Sequence, residues 1–333
     1  MNRLLQTPTG PAQAPVPYAP IAAELEQVER ILAETVRSAN PAVRELIEHV
    51  AHFRGKRLRP ALLLLTARAC GKMTPAHPVL AAVLELVHTA TLVHDDVLDG
   101  AGVRRHVATV NAGWGNHNAI LLGDFLFTHA FRLATGLGDI RVCQIIGDAT
   151  NRVCEGELRQ GLERGNLALS EADYLEIIDG KTAELIACCC HLGALFSGAG
   201  PEVVAAVARY GRWLGMAFQI ADDLLDLVGD EDATGKSLGT DLEQQKMTLP
   251  LIRLMQTAPA AVRARLRQIL SSPGSHQREA LRPYLTEFGA LEYAYRCAED
   301  MAARARAELV CLPPSPCRAI LELAADSVVH RRS

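Results

Sequence analysis

The stretch VLAAVLELVHTATLVHDDVLD (79–99) decides the fold. Residues 79–93 carry apolar side chains on most faces of a helix, and such a helix belongs at the centre of a bundle wrapped by amphipathic ones. Outward from it the helical period continues almost without a break. Residues 21–38 place Leu25, Val28, Leu32 and Val36 at three- and four-residue steps. Asn40 before Pro41 is a start signal for a helix reaching about 53. Further helices are expected at 59–69, 79–99, 116–136, 141–163, 170–198 and 201–228. Shorter ones follow at 249–256, 259–271, 276–288, 291–312 and 317–330. No run alternates with period two for long enough to build a sheet. The expected architecture is one all-α domain, a helical bundle over 21–333, preceded by a Pro-rich arm (1–20) with five prolines.

Composition narrows the function classes. A hydrophobic fraction of 49% and a charged fraction of 22% exclude disordered and collagen-like chains. Lys+Arg of 34 against Asp+Glu of 38 gives no electrostatic reason to expect a nucleic acid partner. Nine Cys include no C-x-x-C pair, and the C-x-x-H spacing of Cys188 and His191 has no second pair to complete a zinc site. Cys188, Cys189 and Cys190 read as small apolar residues in a reducing cytosol. No stretch reaches the roughly 18 apolar residues of a membrane span; the nearest, 78–93, holds Glu85 and His88. No secretory signal opens the chain. The expectation is a cytoplasmic protein without a transmembrane segment.

The polar end of the opening stretch is Asp95-Asp96-Val97-Leu98-Asp99, and the pattern recurs as Asp222-Asp223-Leu224-Leu225-Asp226. On a helix, residues i and i+4 lie about 40° apart, so Asp95 and Asp99 face one way, as do Asp222 and Asp226. Asp96 and Asp223 sit about 100° round, at the edge of that face. Clustered carboxylates repel one another, a cost that a cation removes. Carboxylate oxygens suit Mg²⁺, which keeps several waters and shares phosphate oxygens as ligands. One acidic cluster usually means a solvated face. Two copies, each inside an apolar helix, point instead to a shared diphosphate site. A di-iron bundle would need two Glu-x-x-His motifs, and only Glu85–His88 fits.

Basic groups answer the carboxylates. Lys56, Arg57 and Arg59 gather before Pro60 at a helix start, where backbone N–H groups also attract anions. Alone they would read as a surface turn. Arg104-Arg105 follows the first triplet, and Lys181-Thr182 interrupts an apolar helix. Lys236 and Lys246 flank a Gly-rich loop, with Gly235, Gly239 and Asp241, that suits a mobile lid. His88 and Gln219 precede the two clusters on roughly the same faces. Cations around a metal-rimmed mouth with apolar helix below suit a diphosphate head and a hydrocarbon tail. With 5% aromatic residues and no P-loop, a nucleotide does not fit.

These segments resemble the trans-isoprenyl diphosphate synthases, or polyprenyl synthetases. The matching motifs are GKRLRP (55–60), HTATLVHDDVLD (88–99), the Arg104-Arg105 pair, GDFLF (123–127), KTAEL (181–185), FQIADDLLD (218–226) and GKSLGTDLEQQKMTLPLI (235–252). The resemblance implies an all-α bundle around a deep central cavity. It implies that Asp95, Asp99, Asp222 and Asp226 are ligands of three Mg²⁺, with Asp96 and Asp223 as supporting carboxylates. Arg104, Lys181 and Lys246 would hold an allylic diphosphate, with Gln219 and Thr182 beside it and Lys236 closing over it. Lys56, Arg59, His88 and Arg105 would hold isopentenyl diphosphate, with Arg57 adjacent.

The implied reaction is metal-assisted ionisation of the allylic diphosphate and head-to-tail condensation with isopentenyl diphosphate. Ala90 and Thr91 lie about one turn before Asp95, with Val87 one turn deeper. Bulky aromatic residues there act as a floor in the family; here both are small. That implies a long product, about C30–C50, as for quinone side chains. A floor contributed by the helix of Phe125, Phe127 and Phe131 would shorten it. The resemblance also implies a homodimer, with peripheral membrane contact for product release. Other readings stay open: a short-chain farnesyl or geranylgeranyl diphosphate synthase, a terpene cyclase, and a non-catalytic subunit of a heteromeric synthase. A second diphosphate site argues against the cyclase, and intact triplets argue against the last.

Overall fold

The computed structural model describes residues 18–51, 53, 55–104, 107–229, 238–271, 274 and 276–329. Arg105, Gly235 and Lys236 lie outside the described residues. The described chain is almost entirely helical: α1 (Ala22–Thr35), α2 (Pro41–Ala51), α3 (Leu58–Cys70), α4 (Ala76–Leu98), α5 (Val110–Gly136) and α6 (Ile140–Leu162). Then come α7 (Glu171–Ile178), a π-helical turn (Asp179–Ala183), α8 (Glu184–Phe196) and α9 (Pro201–Val228). After 238 follow α10 (Thr240–Glu243), α11 (Leu249–Thr257), α12 (Ala260–Leu270), α13 (Gln277–Glu287), α14 (Ala290–Glu308) and α15 (Pro316–Ser327).

Starts are set by local chemistry. Asn40 Oδ1 accepts from Ala42 N–H at 3.0 Å ahead of α2, and Ser170 Oγ from Asp173 N–H at 3.1 Å ahead of α7. Asp139 and Ser315 cap α6 and α15 in the same way. The core is formed by α3, α4, α8 and α9. Leu62–Leu65 are buried on every face of α3, and Cys188–Cys190 are buried in α8 as small apolar filling. Burial pushes those three thiols up, that of Cys190 to about 12. Helices α5 and α3 pack on α4, and α8 and α14 pack on α9.

The structure revises four expectations. Residues 18–20, assigned to the N-terminal arm, belong to the folded unit: Ala19–Ile21 form a 3-10 turn, and the Tyr18 hydroxyl donates to the Lys56 carbonyl at 3.3 Å. The single helix expected over 170–198 is divided by the π-turn. A two-residue antiparallel ladder pairs Val103 with Ala108 and Arg104 with Val107, too short to leave a period in sequence. Finally, α4, with 23 residues, is long and apolar enough to cross a membrane, because the run extends beyond 78–93. It is 67% buried over its most apolar window, as a core helix is.

Candidate active site

Helices α4 and α9 both end at one cavity of about 1960 Å³, which Asp95, Asp99, Asp222, Asp223 and Asp226 all line. Lys56, Arg57, Arg59, His88, Arg104, Lys181, Thr182, Gln219 and Lys246 line it too. The structure therefore brings together every expected diphosphate residue that it describes, from six separate stretches of sequence.

The six aspartates divide by environment. Asp96 points inward and is 1% exposed; Arg104 grips its Oδ1 through Nε (2.9 Å) and Nη2 (2.8 Å). Arg104 thus spends two donors on the triplet itself. Asp223 is also buried, accepting from the Tyr174 hydroxyl at 2.6 Å and from Gln219 Nε2 at 2.7 Å. Gln219 Oε1 in turn accepts from Thr182 Oγ1 at 2.7 Å. The chain Thr182–Gln219–Asp223–Tyr174 ties α9 to the π-turn and α7. Asp96 and Asp223 are anchors for the helix ends that present their neighbours.

Asp95, Asp99, Asp222 and Asp226 stand toward the cavity. Burial pushes the Asp95 carboxyl up to about 6, Lys181 opposing and Glu157 and Asp99 adding to it. Asp99 Oδ1 faces Arg164 Nη2 at 3.0 Å and Lys246 Nζ at 3.6 Å. Asp226 accepts from the N–H of Thr240 (3.2 Å) and of Asp241 (3.1 Å) and from Thr240 Oγ1 (3.0 Å), anchoring the start of α10. That puts Asp241 beside the second triplet, with Lys246 Nζ 3.7 Å away. Burial and then Asp226 push the Asp241 carboxyl up to about 7, against the pull of Lys246.

Lys181 projects from the π-turn, its Nζ 2.6 Å from Glu157 Oε2 and donating to Gln160 Oε1 at 2.8 Å. Burial works against its charge, but Glu157 and Asp95 outweigh it and raise its pKa. Arg57, by contrast, is spoken for. Its Nε donates to Glu29 (2.6 Å), Nη1 to Glu85 (2.7 Å) and Nη2 to Glu29 (3.1 Å). Its backbone is left-handed (φ 49°), a strained setting for a side-chain-bearing residue, and this grip from α1 and α4 holds it. The resemblance put Arg57 adjacent to the isopentenyl diphosphate site; it lines the cavity, and its contacts to Glu29 and Glu85 fix the entrance of α3.

Of the three positions assigned to the tail, Thr91 lines the cavity. Ala90 and Val87 are buried behind it, in contact with the core. Sequence reasoning passed over Glu157, Gln160, Arg164 and Tyr174, single polar residues in ordinary-looking helices. It saw in Asp241 only a turn former.

Among the described residues, no three His, Cys, Asp or Glu side chains stand close enough to hold a metal ion alone. The donor set is nevertheless all carboxylate oxygen, and burial first, then neighbouring carboxylates, push Asp95 up to about 6 and Asp241 up to about 7. That fits a hard divalent cation which completes its shell with water and phosphate oxygens, as Mg²⁺ does.

An all-α bundle with paired aspartate triplets at the mouth of an apolar cavity defines an isoprenoid synthase type of protein. The sequence profile described as polyprenyl synthetase matches residues 40–287. The octaprenyl diphosphate synthase of Escherichia coli K12 is 36% identical over 319 residues, 92% of this chain and 99% of that one. A short chain isoprenyl diphosphate synthase of Methanothermobacter thermautotrophicus is 37% identical over 311 residues, 92% of this chain and 93% of that one. The crystal structure of a polyprenyl synthase from Caulobacter crescentus CB15, complexed with calcium and isoprenyl diphosphate, superposes with a TM-score of 0.91. It is 34% identical and is matched over 98% of this chain and 100% of that one. The chain belongs to the polyprenyl synthetase family and is a trans-prenyltransferase.

Proposed function

We propose that this prenyltransferase joins an allylic diphosphate head-to-tail to isopentenyl diphosphate, repeatedly, to an all-trans product of roughly C30–C50. The observation that carries the reading is the meeting of both aspartate triplets and two basic sets around one apolar cavity. Asp95, Asp99, Asp222 and Asp226, joined by Asp241, would hold three Mg²⁺. When bound, such ions stabilise charge developing on a departing diphosphate. Lys181, Lys246 and Arg104 would grip the allylic diphosphate, and Lys56, Arg59 and His88 that of isopentenyl diphosphate. Roles for Arg105 and Lys236 stay with this proposal.

Ionisation leaves an allylic cation that the double bond of isopentenyl diphosphate attacks. A proton is then lost, in this reading to the released diphosphate. Leu86, Leu92, Leu126 and Phe127 keep water from the cation. The cavity exceeds the ~1000 Å³ upper range of ordinary small-molecule pockets, which supports a long product. A homodimer is part of the proposal: Ile120 and Phe131 are exposed on α5 and lie about 20° apart around its axis.

The test is incubation of the purified chain with labelled isopentenyl diphosphate, several allylic primers and Mg²⁺, followed by chain-length analysis. Products of six to ten units, abolished by EDTA, are expected. A product of three or four units would favour the short-chain reading, and turnover in excess chelator would overturn the metal assignment.

A further inference from the structure

The π-turn that carries Lys181 and Thr182 is held by a charge clamp that the reaction itself does not touch. Its ends are Asp179 and Glu184, five residues apart, and the Glu184 N–H donates to the Asp179 carbonyl across them. This five-residue bond is what distinguishes a π-turn from α-helix. The side chains of the same two residues are bridged twice. Arg152 of α6 reaches Asp179 Oδ2 through Nη2 (2.9 Å) and Glu184 Oε2 through Nε (3.2 Å). Arg212 of α9 reaches Asp179 Oδ2 through Nη1 (2.7 Å) and Glu184 Oε2 through Nη2 (2.6 Å). Each guanidinium fork therefore spans the π-turn end to end, a geometry that the single ammonium of lysine does not reproduce.

The backbone is gripped from the same two helices. One turn after Arg152, Gly156 lets α6 close on the turn: a Cβ there would lie 2.5 Å from Lys181 N. Three residues after Arg212, Gly215 does the same for α9, where a Cβ would lie 2.5 Å from Ala183 Cα. A π-turn is unfavourable relative to continuous α-helix and is retained mostly at functional sites. Relaxing it would rotate Lys181 away from Glu157 and Gln160, and Thr182 away from Gln219.

We propose that Arg152 and Arg212 are positioning residues for the allylic diphosphate, acting through the register of the π-turn that aims Lys181 and Thr182. This rests on the reading of Lys181 as a ligand of the allylic diphosphate. Neither arginine is among the residues lining the cavity.

The experiment measures kcat and KM for the allylic primer and for isopentenyl diphosphate in Arg212→Met, Arg152→Met, Lys181→Ala and the double variant Arg212→Met/Lys181→Ala. Misplacement by about 1 Å costs on the order of 10²-fold, so the arginine variants should lose about 10- to 100-fold in kcat/KM for the primer. KM for isopentenyl diphosphate should stay within about twofold. In the Lys181→Ala background, Arg212→Met should cost several-fold less than it does alone, the remainder acting through Thr182, because residues acting through one another are not additive. Arg212→Lys should fail to restore the primer kinetics. Arg152, the more exposed of the two, serves where Arg212→Met does not fold. If Lys181→Ala raises the primer KM while both arginine variants keep wild-type kinetics, or if the losses simply multiply, the clamp is overturned alone. If Lys181→Ala leaves the primer KM unchanged, the ligand reading falls and the clamp with it.

Discussion

The carboxylates at the cavity mouth are held at odds with stability, and that tension is measurable residue by residue. The carboxyl of Asp95, pushed up to about 6 by burial, binds a proton more tightly folded than unfolded. Between about pH 4 and pH 6 the folded state therefore holds the extra proton. Its contribution to stability is full below the unfolded pKa and is lost as pH rises through the folded one. In metal-free protein, Asp95→Asn should then raise the melting temperature at pH 8, by about 1–3 kcal/mol of stability. The gain should vanish near pH 4. A gain of equal size at both pH values would place its origin elsewhere than in the charge. Catalysis runs the other way. Asp95→Ala and Asp222→Ala should each lower kcat by about 10²–10³, the usual cost of removing one charge-stabilising group. Wild-type kcat in either variant would remove that triplet from the site.

At the scale of elements, α4 works as both core and wall, and its two faces respond differently to bulk. Thr91 lines the cavity, so Thr91→Phe should shorten the main product by several isoprene units while turnover persists. Ala90 is fully buried one position earlier. Ala90→Phe should shorten the product only by forcing its ring past Thr91, at an overpacking cost of about 1–3 kcal/mol. Product analysis and thermal melting of the two variants separate wall from core; an unchanged product from Thr91→Phe would move the floor to another helix, such as that of Phe127. The same scale shows where periodicity misleads. Residues 170–198 are apolar at helical spacing on both sides of Asp179, so the pattern reads as one helix. The π-turn adds a residue without altering composition, and only Arg152 and Arg212, from helices distant in sequence, mark it.

Across the whole molecule one cavity is lined by Lys56 and Arg59 at the entrance of α3, by Lys181 from the π-turn and by Lys246 after α10. Arg59→Ala should accordingly raise KM for isopentenyl diphosphate and leave that for the allylic primer within about twofold, since an Arg–phosphate fork contributes locally. Steady-state kinetics with each substrate varied in turn decide it; a larger effect on the primer would invert the assignment. The joining of these regions is a property of the assembled bundle. Segments from 29 to 248 supply the lining, and no helix alone holds more than one part of it.

The amino-acid sequence by itself determined the helical class, the order of the long helices, the two aspartate triplets and most of the cations around them. Helical period and carboxylate spacing are local, so the chain states them directly. What only the tertiary structure decided is which way each charged group is spent. Asp95 faces the cavity and Asp96 the protein, Arg57 serves Glu29 and Glu85, and Asp241 joins the second triplet. Arg164 meets Asp99, and Glu157 holds Lys181. Each of those partners lies from 15 to 65 residues away in sequence. Burial and ion pairing depend on distance in space, and the chain specifies that distance only once the helices have packed.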